Sequence, residues 1–384
     1  MKAGWEVRPL GEVCEILDRL RKPITKRDRQ AGPYPYYGAT GVLDHVEGYL
    51  FDEKLVLIGE DGAKWEAGAN SAFSIDGKTW VNNHAHVIRP HRGEALDDWL
   101  IYYLNASDLM PYVSGMTVPK LNQGRLREIP IPLPPLEEQQ RIVALVDEAF
   151  EGLARARAHA EANLQNAREL FSDGLERAYL KLAAGAPSVD LEELCTPRGV
   201  TYGVIKLGER VPSGVPCLRT SNVRRLAFDL DGIKLIAPAL SAEYHRTILE
   251  GGEVLVNVRG TLGGVATVPD DMIGWNISRE VAMVVIDPKV AMPEFVSFFV
   301  ATRTAQNWLT GMEKGAAYKG INLSDLRKLK VPLPTLPLQR QAVEVASVLQ
   351  ASATSVSEAY KSKLQDINDL RQSLLQKAFA GELI

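Results

Sequence analysis

The sequence predicts an α+β protein in which two pseudo-symmetric, strand-rich domains are joined by two long helices forming an antiparallel intramolecular coiled coil. Three observations carry this expectation. A proline-rich exit, "IPIPLPPLEEQQRI", is echoed by "VPLPTLPLQRQ" 200 residues later. Each exit runs into an apolar helical seam with three-four spacing, and the two seams match at the same offset. The stretches before the exits align at an offset of 181 residues, "RPLGEVCEI" with "VDLEELCTP" and "YPYYGATGV" with "VPCLRTSNV".

Residues 1–136 form the first expected domain. Short apolar runs such as "KLVLIG" and "HAHVIRP" alternate with Gly, Asp and Asn turns and close on a helical stretch, "LDDWLIYYLNAS". Pro130, Pro132, Pro134 and Pro135 then force an extended exit, because proline cannot sit in a helix interior and disfavours helix in the residue before it. The first rod, 137–184, starts with Glu137 and Glu138, where carboxylates favour the positive end of the helix dipole, and stops at Gly185 and Pro187. Its seam is Ile142, Val146, Ala149, Leu153, Leu164, Leu170 and Leu175. At ~1.5 Å per residue it should reach roughly 70 Å. The second domain, 185–336, repeats the pattern with "EVLVNVRG", "VAMVVIDP" and "PEFVSFFVATRTAQNWL". The second rod, 337–384, has the seam Ala346, Leu349, Val356, Leu364, Ile367, Leu370 and Leu375, and lacks the paired glutamates at its start.

A chain of 384 residues, 46% hydrophobic and 24% charged, can bury more than one core. No apolar run approaches the ~20 residues of a membrane span and no signal-peptide core is visible, so a soluble cytoplasmic protein is expected. Three widely spaced cysteines argue against a disulfide framework and read as small buried hydrophobes. The net charge is -4, and split by segment no part is markedly basic, so contact with nucleic acid needs a local patch or a cationic partner.

With its two domains, each closed by an "IPLPPLEEQQRI"-like segment and a long helix, and its ending "LLQKAFAGELI", the chain resembles the specificity subunit of type I restriction-modification systems over essentially its whole length. The resemblance implies two target-recognition domains that read a bipartite target in double-stranded DNA. It implies a subunit that is itself no enzyme and directs adenine methylation by modification subunits, two copies of them, and cleavage when restriction subunits join. S-adenosylmethionine is then expected on the modification subunits, ATP and Mg on the restriction subunits, and no cofactor on this chain. A coiled-coil scaffold that binds no DNA is the alternative, and a self-contained nuclease or methyltransferase a third.

The motifs that could carry chemistry are incomplete. Gly77-Lys78-Thr79 resembles the end of a phosphate loop, but the earlier glycine is Ala72 and no helix follows, so a hairpin turn is expected. Asp52, Glu53 and Lys54 lack the further carboxylates of a nuclease. His84 and His86 alternate on an expected strand, yet no Cys or Glu is spaced nearby to complete a metal site, and no metal is expected. "RGTLGG", Arg259 to Gly264, is one residue short of a dinucleotide fingerprint and reads as a Gly-rich turn. The Asn/Asp-Pro-Pro-Tyr/Phe sequence of an adenine methyltransferase is absent, as is a glycine-rich cofactor loop.

For DNA contact, the basic run Arg19, Arg21, Lys22, Lys26, Arg27 and Arg29 comes first, with Tyr36 and Tyr37 following on a Gly/Pro-rich loop. Such cations hold phosphates, and arginine also reads guanine. In the second domain "LRTSNVRR" supplies Arg219, Asn222, Arg224 and Arg225. Two loops before the exits, aligned through Gly115 and Gly315, add Lys120, Lys314 and Lys319. Solvated charge and plain surface turns are the competing readings.

Overall fold

The structure, a computed structural model, describes residues 4–115, 117–209, 211–312 and 320–383. Lys314 and Lys319 lie outside the described residues. The chain divides into two units, Met1–Glu161 with Lys361–Ile384, and Ala162–Tyr360. Each holds one strand-rich domain and part of both rods.

In the first unit β1 (Glu6–Pro9), a one-turn helix α1 (Leu10–Val13) and β2 (Cys14–Ile16) lead into the basic segment. The strands β3 (Ala31–Gly38), β4 (Gly41–Val46), β5 (Phe51–Asp52), β6 (Leu55–Gly59), β7 (Ala72–Ile75), β8 (Lys78–Val81) and β9 (Ala85–Pro90) follow, and then α2 (Asp97–Ala106), α3 (Gln123–Arg127) and β10 (Pro130–Leu133). Two four-stranded sheets run in the orders β2-β9-β6-β7 and β4-β3-β8-β5. A turn does form at "DGKTW", with Gly77 at φ +68°, but it is not the expected hairpin: β7 pairs with β6 and β8 with β3 and β5, so it carries the chain from one sheet to the other. β6 is buried along its whole length, as a continuous apolar run demands. The proline exit becomes β10, which pairs antiparallel only with β1, an edge position that tolerates missing N–H donors.

The rod α4 (Leu136–Leu182) starts within this domain's core. Ile142 and Val146 are buried there together with Leu375 and Ala378 from the end of the second rod. Trp99 of α2 joins the end of the second rod to the exit strand β10. Its ring lies 4.8 Å from that of Phe379, and its indole N–H donates to the Pro132 carbonyl at 2.8 Å. Within this unit the rods run antiparallel, with Arg371 over the ring of Phe150 and Arg157 donating to Asn368.

The second unit repeats the plan. It contains β11 (Ser188–Asp190), β12 (Cys195–Tyr202), β13 (Val215–Leu218), β14 (Val223–Arg224), β15 (Ala227–Phe228), β16 (Lys234–Ile236), α5 (Pro238–Glu243), β17 (Val254–Asn257), β18 (Val265–Thr267), β19 (Asn276–Ile277) and β20 (Val281–Ile286). After these come α6 (Pro293–Val300), α7 (Arg303–Gly311), α8 (Leu323–Leu326), β21 (Lys330–Pro332) and the rod α9 (Leu336–Ala380). The sheet β12-β20-β17-β18 is the counterpart of β2-β9-β6-β7, β11-β21 of β1-β10, and β16-β13-β19 of the other sheet, with a parallel pair in each (β3 with β8, β13 with β19).

Both rods leave their domains through the same buried glutamine. The Gln139 side chain accepts from the Leu96 N–H at 3.0 Å and donates to the carbonyls of Glu94 and Pro134. Gln339 accepts from the Met292 N–H at 2.9 Å and donates to the Pro334 carbonyl. Both glutamines are fully buried. The second rod therefore needs no paired glutamates to be anchored.

Three expected seam residues are not in the seam: Leu170 is 71% exposed, Leu370 50% and Val356 42%. Two helices in contact bury only a narrow stripe, and one neighbour of each three-four pair takes it. Phe171 is half-buried beside Leu170, and Arg371 covers Phe150 beside Leu370. Small residues hold the contact instead, Ala160 and Ala167 being buried. Ala149, Leu153, Leu164, Leu349, Leu364 and Ile367 are half-buried, while Leu175 and Ala346 are buried in the second domain's core. The three cysteines are free, and burial pushes each thiol up to about 12.

Candidate nucleic-acid interface

In each domain a segment singled out for DNA contact meets a second loop: the loop of Lys120 in the first, and in the second the Gly-rich turn after β17. In the first, the basic run meets the loop that carries Lys120 beyond the end of β6. Arg21 donates to Glu60, to the Asp18 carbonyl at 3.1 Å and to the Ala85 carbonyl at 2.7 Å, and the Lys120 ammonium lies 2.9 Å from Glu60. His86, fully buried on β9, faces Asp18 Oδ2 at 2.6 Å with Nδ1 and the Leu121 carbonyl at 2.7 Å with Nε2. Asp18 also accepts from the Val87 N–H and from Gln123.

This network compensates itself. Burial pushes the Asp18 carboxyl upward, but the bonds from His86 and the Val87 N–H and the charge of Arg21 hold it below the usual carboxylate value. Glu60 is likewise raised by burial and lowered further by Lys120 and Arg21. Asp18, Glu60 and His86 each offer an atom within 4.8 Å of the others, a metal-like grouping that sequence spacing hid because the three lie on separate elements. Their acceptors are already taken by Arg21, Lys120 and Gln123, which makes the cluster an ion network. Arg21 and Lys120 are therefore not the free phosphate contacts expected of them.

Other expected contacts also have internal partners. Tyr36 is 1% exposed, its hydroxyl accepts from the Ile24 N–H, and Arg29 stacks on its ring at 4.5 Å while bonding Asp44. Tyr37 is half-buried against Phe73. Arg27 is exposed and 3.4 Å from Asp28. Arg19, Lys22 and Lys26 are exposed, and among the described residues none has an ion pair. The Lys22 N–H donates to the Val81 carbonyl and the Trp80 indole to the Lys22 carbonyl, which fixes this stretch beside β8.

In the second domain the "LRTSN" loop meets the Gly-rich segment after β17. Asn222 is fully buried and shapes the turn, accepting from the Arg219 N–H and donating to the Asp229 carbonyl. It cannot read a base. Arg219 donates to the Gly232 carbonyl and Arg224 pairs with Asp229 at 3.1 Å. Arg225 turns the other way, onto Ser172 of α4 and the Ala301 carbonyl, and the residue after it in the β14–β15 turn, Leu226, is left-handed with φ +58°. The Asn257 amide ties the two loops together, donating to the carbonyls of Thr220, Val223 and Thr261.

Backbone bonds establish that the two places correspond. The Leu121 N–H donates to the Glu60 carbonyl as Ile321 does to Val258, both at 2.8 Å, and Glu60 donates to His84 as Val258 does to Glu280. Asp61 bridges Lys120 where Arg259 bridges Gly320. The frame is shared while the side chains are exchanged: Glu60 for Val258, Asp61 for Arg259, and His86 for Ala282 by strand register.

A family model described as type I restriction modification DNA specificity domain matches residues 2–157 and 221–365. The chain belongs to this family. Curated relatives of the family include the type I restriction enzyme EcoBI specificity subunit of Escherichia coli, 28% identical over 70% of this chain and 62% of its own length. Another is a putative type I restriction enzyme specificity subunit of Haemophilus influenzae, 26% identical over 92% of this chain and 89% of its own length. The fold is that of a chain solved in work on complex assembly and conformational transition of the type I R-M system, with TM-score 0.73 at 20% identity over 100% of this chain and 99% of that one. The HsdS subunit from Thermoanaerobacter tengcongensis matches with TM-score 0.52, also at 20% identity, over 100% and 98%. No helix among the described residues is long and apolar enough to cross a membrane.

Proposed function

We propose that this specificity-family chain is the DNA-recognition subunit of a type I restriction-modification complex and reads a two-part target in duplex DNA, one half with each strand-rich domain. The observation that carries this reading is the shared backbone frame with exchanged side chains: a duplicated reader of two different half-sites needs a common scaffold and divergent contacts. The chain does no chemistry itself; modification partners holding S-adenosylmethionine methylate adenine, and restriction partners using ATP and Mg cleave.

The rods support two copies of the modification partner. Exposed apolar side chains recur at the 200-residue offset, Leu145 with Val345 and Leu170 with Leu370. Shallow grooves lie at matching positions too, one lined by Phe150, Leu153 and Ile367 in the first unit, the other by Ala167, Leu349 and Ala353 in the second. Repeated faces fit repeated partners.

The test is to assemble the chain with its modification partner, map methylated adenines across genomic DNA, and measure binding against competitor DNA. A two-part motif with a fixed gap is the expected result. Binding without sequence preference would return the chain to the scaffold reading.

A further inference from the structure

Arg259 stands apart both from the partnered cations of the two converging sites and from the exposed Arg19, Lys22 and Lys26. It is half-buried, and among the described residues its guanidinium has neither an ion pair nor a side-chain hydrogen bond, whereas Arg21, Lys120, Arg219, Arg224 and Arg225 are all engaged. Its one support is aromatic. The guanidinium carbon lies 5.7 Å from the ring centroid of Tyr202, which is 40% exposed.

The surrounding backbone is built to present that side chain. Gly260 and Gly263 take φ values of +70° and +92°, conformations other residues rarely adopt, and the Asn257 amide pins the segment through the Thr261 carbonyl. Gly320, bridged to Arg259, leaves room for it, since a Cβ there would sit 3.1 Å from Arg259 Cγ. A fixed backbone under an unpaired fork-shaped donor is what specific recognition needs, because little ordering remains to be done on binding. The counterpart in the first domain is Asp61, of opposite charge and bonded to His84.

We propose that Arg259, supported by Tyr202, reads a guanine in the half-site contacted by the second domain. Guanine offers two acceptors in the major groove, N7 and O6, that match the guanidinium fork. This inference rests on the reading of the chain as a DNA-recognition subunit. It assigns base reading to a segment whose sequence suggests only a turn.

The experiment uses the full chain assembled with its modification partner and a duplex library randomised at every target position, read by methylation. Arg259→Ala should lower the preference for guanine at one position of one half-site by about tenfold to a hundredfold and leave the other half-site unchanged, which also certifies that the complex has folded. Tyr202→Phe should keep the preference, and Tyr202→Leu, which leaves Arg259 in place, should weaken it several-fold. A parent complex without a two-part motif would overturn the DNA-recognition function and this inference together. A parent with a motif that Arg259→Ala leaves intact, or weakens only as uniform affinity with a salt slope smaller by about one, would overturn the inference alone, the latter because it marks a phosphate contact.

Discussion

At the same point of the same backbone frame, the first domain buries an ionic network and the second an apolar cluster. Asp18, Arg21, Glu60, His86 and Lys120 neutralise one another in the first. In the second, the corresponding Val258 and Ala282 are fully buried hydrophobes, and the cation beside them, Arg259, has no ion pair among the described residues. The difference teaches that the number of cations in a segment does not give the number left free to meet a ligand. What matters is whether the fold already supplies each cation with a partner, since a buried pair broken by mutation leaves its remaining charge stranded.

The largest effect should come from removing the cation at the centre of the first network. Arg21→Met should destabilise the first unit by about 3–5 kcal/mol in urea unfolding, because Asp18 and Glu60 lose their shared partner. Acid should act on the same groups. Both carboxyls have folded values lowered below their unfolded ones, so the stability they add is present above the ordinary carboxylate range and is lost as pH falls through the lowered values. The parent should show that acid limb, and Arg21→Met should flatten it. A variant of parental stability would mean that Arg21 is a surface residue after all.

A smaller change is expected where the two domains are alike. Gln139→Leu and Gln339→Leu should each cost about 1–3 kcal/mol, by leaving buried carbonyls and an N–H without partners, and the two costs should be similar. Unequal costs, measured by denaturant unfolding, would show that the two junctions differ in a way their geometry does not reveal.

How far the sequence foretold all this depends on whether an interaction is local. The proline exits, the rods and the duplication were legible because they repeat at a constant offset and rest on short-range rules. Gln139 and Gln339 fall inside the two matched exits, although their clamps were not legible there. The partners of Arg21 were hidden: Glu60 and Ala85 are brought to it by strand pairing, not by spacing. Tyr36 and Asn222 look like contact residues on polar loops, yet both are buried: Tyr36 lies on β3 and holds the segment of Ile24 and Arg29, and Asn222 shapes its own turn. Leu170, Val356 and Leu370 fit the seam by period, and only the packing of one rod on the other decides which neighbour is buried. Arg259 gave no signal beyond its glycines, because being unpaired is a property of the folded surroundings.

The gentlest predicted effect concerns the exposed cations of the first domain. Replacing Arg19, Lys22 and Lys26 with alanine should leave stability unchanged, weaken specific and nonspecific DNA binding alike, and reduce the salt slope by roughly one for each phosphate no longer neutralised. An unchanged slope would mark them as solvated charge.

The central claim is that each domain reads its half of the target independently on a shared frame. Its most direct test is to replace residues 185–336 with the corresponding domain of a relative, assemble the hybrid with the modification partner, and map the methylated adenines. The account predicts that one half of the motif changes while the other half is retained. A hybrid that methylates with both halves changed, or with neither changed, would contradict it.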